Sequence, residues 1–553
     1  MVHRMIAVFA ALSGVDQSPG RPFYLRERAG RPDLEHRPRV RGPIGLKDRI
    51  LSHKGNMAMT RKQFLASGAV AALPFPAGAK GQSGRAGRPK NVLFLMTDQH
   101  KPDCLAVEGD RVAHTPNLDG FAKTAVRFSS AYCTNPVCTP SRASILTGLY
   151  THNHRTWNNA TPWPYEHRTL AHAFTRAGYM SALIGKMHFV DAQTHGFDYR
   201  LDFNDWWQQL GPQTKLYAEE LSRRNSGSGL PQIDDLWRDF DDPWKGVREL
   251  DDRKGAVHVG RASRIPEDHH FENFVARESI RFLKNHGKDQ PFFLISSLLK
   301  PHDPFMPGKR FADMFRPEDM KLPDTFGKVD LNTIPKRVRN AIERHIPCPE
   351  LLDPAMARTH IAMYYANLAH ADDALGQVLQ ALRDLDLEKD TIVIYASDHG
   401  EMLGEHGLWQ KLQFYDPSCG VPFMFRIPGM TEAGARCNVP VSLVQLMPTL
   451  CELCGLTPPQ KPDGESLMDL IRQPGMKKST KVYAEFDLRT PNAKYMMRAG
   501  DYKYSFWLND MPELYHMRDD PKEMRNLAIL PEYKGRVEDL RAQLFEWHRP
   551  DSL

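Results

Sequence analysis

The chain has 553 residues, 41% hydrophobic and 25% charged, enough for a large buried core and more than one domain. Its net charge of +6 is unevenly placed. Residues 1–58 carry eleven Lys/Arg against five Asp/Glu and residues 59–90 carry six basic residues and no acid, so each segment is +6 and residues 91–553 are −6. The mildly acidic body gives no reason to expect a nucleic-acid partner, and no stretch of about eighteen apolar residues predicts a membrane span.

Residues 1–58 are Arg- and Pro-rich without periodicity and read as a disordered or mis-assigned N-terminal extension. The start of the protein proper is expected at Met57 or Met59. From Met59, Thr60-Arg61-Lys62-Gln63-Phe64-Leu65 precedes the small apolar run Ala66–Leu73 and then Ala77-Gly78-Ala79. This order of charged, apolar and small residues predicts an export signal and linker over 59–90. It resembles a twin-arginine signal with Lys62 at the second Arg, and a periplasmic location follows. A catalytic domain is expected over 91–475 and a small domain over 476–553.

Five apolar runs follow. Asn91–Met96 leads into Thr97-Asp98-Gln99-His100, and Tyr179–Ile184 into Gly185-Lys186-Met187-His188. Pro291–Ile295 runs through Ser296–Leu299 to Lys300-Pro301-His302, and Thr391–Ala396 leads into Ser397-Asp398-His399-Gly400. Val421–Ile427 ends at Pro428-Gly429 with no titratable group. Short continuous apolar runs fit strands buried on both faces. Helical patterns lie between them, at Pro116–Ala125, Thr169–Arg176, Asn273–Asn285 and Thr359–Leu385. The alternation predicts an α/β fold, a large mainly parallel sheet flanked by helices. Ligands of such sheets bind beyond the carboxyl ends of the strands, where Asp98, Lys186, His188, His302 and Asp398 all fall.

Residues 200–270, rich in Trp and Asp (Trp206, Trp207, Trp237, Trp244), and the Pro-rich stretch 303–358 break the alternation. They read either as surface insertions or as the rim of a pocket; Trp206 and Trp207 either stack on sugar rings or pack the insertion. Leu443–Leu456 is helix-like and carries Cys451-Glu-Leu-Cys454. With no second pair or His partner, these two read as ordinary buried thiols. Further on, Val482–Leu488, Lys494–Arg498, Tyr502–Trp507 and Glu513–Met517 predict a small antiparallel sheet, closed by a helix over Tyr533–Trp547.

The chemistry gathers around Cys138-Thr139-Pro140-Ser141-Arg142, which opens an apolar helical pattern. Pro suits a first helical turn, and the positive helix N-terminus stabilises developing negative charge beside Cys138. Asp98 and Asp398 end two strands, each followed by a further donor, Gln99 and His399. Hard cations take such oxygen ligands, Ca²⁺ with loose geometry, and the His nitrogen leaves Mn²⁺ or another transition ion open. Arg142, Lys186, His188, His302 and Lys411 supply cations and proton-transfer groups. A tetrahedral oxyanion ester is the substrate such a set suits.

Cys138-Thr-Pro-Ser-Arg142 followed by Thr147-Gly148 resembles the type I sulfatase signature, within the alkaline-phosphatase-like superfamily. Gly178-Tyr179 with Gly185-Lys186-Met187-His188 is similar to that family's second signature. Glu513-Leu-Tyr515, Asp520-Pro521 and Asn526-Leu527 are similar to its small domain. The resemblance covers about residues 91–550. It implies that a maturation enzyme converts Cys138 to Cα-formylglycine, whose hydrate is a geminal diol. One hydroxyl attacks sulfur and expels the alcohol, and the second then eliminates sulfate. It further implies Asp98, Gln99, Asp398 and His399 as ligands of a divalent metal, Ca²⁺ first, with Mn²⁺ or Mg²⁺ possible. Arg142 and Lys186 would hold the formylglycine. His188, His302 and Lys411 would bind sulfate and move protons, and Asn159 would contact the diol or sulfate.

A sulfated small molecule or glycan is the expected substrate. Gln99 and His399 replace the Asp and Asn of many sulfatases, and with Gly404-Glu-His-Gly-Leu-Trp-Gln-Lys411 they are similar to the phosphonate monoester hydrolase branch. A phosphonate or phosphate esterase is therefore the alternative. A thiolate nucleophile at Cys138 paired with a His and a non-catalytic sulfated-glycan binder are the other readings; the latter requires a missing nucleophile or ligand, and none is missing.

Overall fold

A computed structural model describes residues 91–550 apart from 190–192, 211–259, 261, 264, 288, 304, 344–350 and 352. The expected N-terminal extension and export signal, Trp237, Trp244 and Cys348 lie outside the described residues.

The strands in chain order are β1 (Asn91–Asp98), β2 (Val126–Phe128), β3 (Ala131–Tyr132), β4 (Met180–Gly185) and β5 (Tyr199–Leu201). They continue with β6 (Phe292–Pro301), β7 (Thr391–Ser397), β8 (Phe423–Arg426), β9 (Arg436–Cys437) and β10 (Val441–Ser442). Eight form one sheet, in the order β5-β4-β6-β1-β7-β8-β2-β9, and β3 pairs with β10. From β5 to β7 all neighbours are parallel. Strand β8 is antiparallel to β7 and to β2. Its carboxyl end therefore lies at the opposite edge, which explains why the fifth apolar run carries no titratable tip.

The continuous apolar character of β1, β6 and β7 has a direct cause: alternate side chains enter two different cores. Val92, Phe94 and Met96 face one side with Phe293, Ile295, Ile392 and Ile394. Leu93 and Leu95 face the other with Phe292, Leu294, Val393 and Tyr395. Helices α1 (Pro116–Ala122), α2 (Cys138–Thr147), α3 (Leu170–Arg176), α4 (Phe271–Asn285), α5 (Pro354–Asp384) and α6 (Leu446–Cys454) cover these faces. α2, α3 and α6 pack on the first face, with Ile145, Leu146, Phe174 and Leu450. α1, α4 and α5 pack on the second, with Leu118, Phe274, Leu375 and Val378. α5 begins five residues before the expected Thr359, because Asp353 accepts from the N–H groups of Ala355 and Met356 and Pro354 fills the first position.

Of the two stretches that broke the alternation, the described part of 303–358 supplies a separate core from Phe305 to Met320, while Ile334 and Val338 join another. In the separate core Phe305, Phe311, Phe315 and Met320 meet Ile361 and Tyr364 of α5 and Trp409. Trp206 lies against the ring of Phe271, and its Nε1 donates to the carbonyl of His269 at 2.8 Å. It packs the insertion. Among the described residues every cysteine is a free thiol, and Cys451 lies in the first core.

The C-terminal sheet is the expected meander, β11 (Lys481–Phe486), β12 (Lys494–Ala499), β13 (Tyr502–Trp507) and β14 (Glu513–His516), all antiparallel. Gly500-Asp501 makes the turn between β12 and β13. Helix α7 (Lys534–Trp547) packs on it through Leu540 and Leu544. Trp507 and Tyr515 of this sheet share a further core with Met402, Leu408 and Tyr415, which flank Lys411 in the chain.

Candidate active site

Because β4, β6, β1 and β7 are parallel neighbours, their carboxyl ends bring Lys186, His302, Asp98 and Asp398 to one edge. The join at β4 depends on glycine. Gly185 has φ 111°, and a Cβ there would stand 1.9 Å from the carbonyl oxygen of Ser297. That close approach lets the Lys186 N–H donate to the same carbonyl at 2.9 Å.

Helix α2 points its first residue at this edge. All ten residues Cys138–Thr147 are buried, and Cys138 is 1% exposed. Val137, at the N-cap, makes no side-chain cap. Asn159 Oδ1, from a following loop, accepts from the N–H of Thr139 at 3.0 Å and serves as a remote cap. Asn158 is exposed and closes its own loop turn by accepting from Ala160 and Thr161. Ser141 Oγ donates to the Asp398 carbonyl at 2.6 Å, pinning α2 to the end of β7.

Arg142 organises the carboxylates. Its side chain is fully buried, with Nε 2.6 Å from Asp398 Oδ2 and one Nη 2.9 Å from Asp98 Oδ2. The other Nη donates to the Lys186 carbonyl and to Ser297 Oγ. Lys186 Nζ adds a second cation to Asp98 Oδ2 at 2.7 Å. With their outer oxygens occupied, both carboxylates turn Oδ1 inward, each 3.8 Å from His399 Nε2. Cys138 Sγ stands 3.2 Å from His399 Nε2 and 3.8 Å from Asp98 Oδ1, Lys186 Nζ and Lys411 Nζ. One ligand atom from each of Asp98, Cys138, Asp398 and His399 lies within 4.8 Å of the others.

Hydrogen bonds set the imidazole tautomers. His399 Nδ1 faces the Gly400 carbonyl at 2.9 Å and so carries a proton there, which turns Nε2 inward as the atom able to take either a second proton or a metal. His302 Nδ1 likewise donates to the Asp303 carbonyl, and its Nε2 accepts from Lys411 Nζ at 2.7 Å. Lys411 Nζ also donates to Gln99 Oε1 at 2.6 Å. Gln99 Nε2 donates to Asp303 and Glu401. His188 sits half-buried at the end of the β4 connection with φ 63° and has a hydrogen bond to the Cys138 side chain.

Burial would drive the Asp98 carboxyl up, yet Lys186, His302, Arg142 and His399 hold it well below the usual range. Burial dominates at Asp398 and raises it against the pull of Arg142. At Cys138, burial and Asp98 push the thiol up, but Lys186, Lys411 and His399 outweigh them and it falls well below its ordinary value. Lys411 is desolvated, yet Cys138, Asp303, Asp98 and Asp398 raise it. His399 is raised too: Asp398 and Cys138 overcome its burial. Burial lowers His188. The cluster thus holds a negative charge inside a ring of cations.

Two carboxylate oxygens and an imidazole lone pair, converging on one buried point while an arginine occupies the outer oxygens, fit a divalent cation of the oxygen- and nitrogen-binding class. Three further polar groups complete the site: Ser297, Asp303 and Glu401. Asp303 directly follows His302 and Glu401 lies two residues beyond His399, so carboxylates one or two residues past a functional strand tip were the available signal. Ser297, inside the apolar run of β6, gave none.

Residues 90–456 match the family described as Sulfatase, and residues 404–549 match that described as N-sulphoglucosamine sulphohydrolase, C-terminal. An arylsulfatase of Clostridium perfringens is 30% identical over 477 residues, covering 82% of this chain and 94% of that protein. A choline-sulfatase of Rhizobium meliloti is 29% identical over 458 residues, covering 80% and 83%. The crystal structure of a phosphonate monoester hydrolase of Agrobacterium radiobacter superposes with a TM-score of 0.70 at 25% identity, covering 83% of this chain and 95% of that one.

Proposed function

The chain belongs to the sulfatase family of sulfuric ester hydrolases, and on that footing we propose that it hydrolyses sulfate monoesters with a nucleophile made from Cys138 beside a divalent cation. The observation that carries this is the inward convergence of Asp98 Oδ1, Asp398 Oδ1 and His399 Nε2 on the Cys138 side chain.

Asp98, Asp398 and His399 would hold the cation, with Gln99 as a further ligand through the second lone pair of its amide oxygen, the first accepting from Lys411. A divalent ion there, Ca²⁺ or another, would supply positive charge that stabilises the ester oxygens and an ionised hydroxyl. Formylglycine at position 138, made by a maturation enzyme, supplies a diol hydroxyl as nucleophile and a second hydroxyl whose proton loss frees sulfate.

The other groups act on charge and protons. Arg142 fixes both carboxylates by their outer oxygens and leaves the inner ones for the cation. Lys186 and Lys411, each 3.8 Å from Sγ, neutralise the nonbridging oxygens of the ester. With its Nδ1 proton tied to the Asp303 carbonyl, His302 accepts a proton from the Lys411 ammonium at Nε2 and passes it to the leaving alcohol. His188, bonded to the side chain of residue 138, takes the proton of the attacking hydroxyl. Asn159 acts through the first turn of α2, keeping the N–H dipoles aimed at residue 138.

Mass spectrometry of the peptide containing residue 138 tests the nucleophile: active enzyme is expected to carry an aldehyde there, and active enzyme with only unmodified thiol refutes it. A sulfated small molecule or glycan is the proposed substrate class, and the Met59 segment is proposed to export the protein; among the described residues no helix is long and apolar enough to cross a membrane. A second reading, a phosphonate or phosphate ester hydrolase, is favoured by Gln99 and His399 at the cation and by the fold shared with the phosphonate monoester hydrolase. Comparing kcat/KM on matched aryl sulfate and aryl phosphonate esters separates the two.

A further inference from the structure

Lys411 lies on an unusual piece of backbone. Gln410 has φ 63° and Leu412 φ 80°, a left-handed conformation that costs a branched residue about 1 kcal/mol or more and persists only where the surroundings fix it. Upstream, Glu401 Oε1 accepts from the N–H groups of Leu403 at 2.9 Å and Gln410 at 2.6 Å. Downstream, the restraint comes from the C-terminal sheet. Lys494, the first residue of β12, is 2% exposed. Its Nζ donates to the Leu412 carbonyl and, at 3.0 Å, to Gln413 Oε1.

The ammonium has no carboxylate in an ion pair among the described residues. It sits instead among aromatic faces, 4.2 Å from the ring centre of Trp507, 5.1 Å from Phe486 and 5.2 Å from Phe414. Trp507 is itself locked by its Nε1 donating to Glu513 Oε2 at 2.8 Å. A cation over such faces gains roughly 0.5–2 kcal/mol, less than the desolvation of a buried ammonium costs. Burial accordingly pulls its pKa down to about 7, against Asp487 and Glu513. A methionine or leucine would fill the same box without that penalty. The feature a hydrocarbon cannot supply is the pair of hydrogen bonds to residues 412 and 413.

We infer that Lys494 is a positioning residue for the sulfatase reaction, reaching from the C-terminal sheet through the Leu412 carbonyl to hold Lys411 against Gln99 and His302. The inference rests on the role proposed for Lys411. Misplacing a catalytic group by about 1 Å can cost a hundredfold in rate.

Lys494→Met keeps the length and apolar fit of the side chain and removes both donors. On the formylglycine-bearing holoenzyme, kcat/KM is expected to fall about 10- to 100-fold, with a thermal midpoint no lower than wild type. The fall should divide between kcat and KM as it does for Lys411→Ala, and the double variant should be no slower than Lys411→Ala alone, because residues acting as one unit are not additive. If Lys411→Ala is impaired but Lys494→Met is at wild-type rate, or its loss multiplies fully with that of Lys411→Ala, the positioning role is refuted while the site stands. If Lys411→Ala itself keeps the wild-type rate, the role of Lys411 and this inference fall together.

Discussion

Arg142→Met isolates the electrostatic logic of the site. The guanidinium is fully buried and satisfies two carboxylates at 2.6 and 2.9 Å. Without it the carboxylates are not equally stranded. Asp98 keeps Lys186 at 2.7 Å. Asp398 keeps no Lys or Arg in an ion pair among the described residues; it keeps the N–H groups of Gln99 at 3.2 Å and His399 at 3.0 Å on its inner oxygen, with the His399 ring at 3.8 Å. The cost is thus that of one buried charge deprived of its partner, about 3–5 kcal/mol.

The sign of the pH dependence follows. Burial already raises Asp398, and loss of Arg142 raises it further, so the folded variant holds a proton there that the unfolded chain does not. Its deficit relative to wild type should be full at pH 8 and shrink toward pH 5, by at most about 1.4 kcal/mol per unit. The assay is urea unfolding followed by tryptophan fluorescence, with both proteins chelated and carrying unmodified Cys138, so that neither maturation nor turnover enters. A deficit below about 1 kcal/mol at pH 8, or one that does not change between pH 8 and pH 5, would mean that Arg142 does not balance the carboxylates.

Asp398→Ala should lose bound divalent metal and turnover together; full metal content by atomic emission with an unchanged rate would mean that the strand-end site is misplaced. Asn159→Ala removes the remote cap and should cost about 1 kcal/mol of stability, read as a lower urea midpoint at unchanged slope. Gly185→Ala should yield little folded protein, because its Cβ would meet the Ser297 carbonyl at 1.9 Å; soluble expression and circular dichroism at the wild-type level would contradict the packing described.

The parallel strands were legible because a strand buried on both faces leaves an unbroken apolar run, and the run stops where the chain reaches the site. That is why Asp98, Lys186, His302 and Asp398 could be read together. Strands β2, β5 and β9, two or three residues long, are too short to carry a pattern, and the direction of β8 is set by pairing across the sheet. Asp303 and Glu401 were missed because they act on other groups, the Gln99 side chain and, for Glu401, the backbone N–H groups of Leu403 and Gln410. Asn159 was expected from resemblance at the diol or sulfate; its bond to the N–H of Thr139 had no signal in the sequence. Lys494 could not be inferred from spacing at all: 82 residues separate it from Leu412.

The complete burial of Cys138–Thr147 also bears on timing. An enzyme that edits Cys138 must grip several neighbouring residues, and in the finished protein none of them can be gripped. If Cys138 is converted as proposed, the conversion would have to precede burial of this stretch, and a molecule that folded first would keep its thiol. Activity per milligram would then record a race between the two processes, and slowing the closure of α2 onto β7 should raise the fraction of molecules that carry the aldehyde.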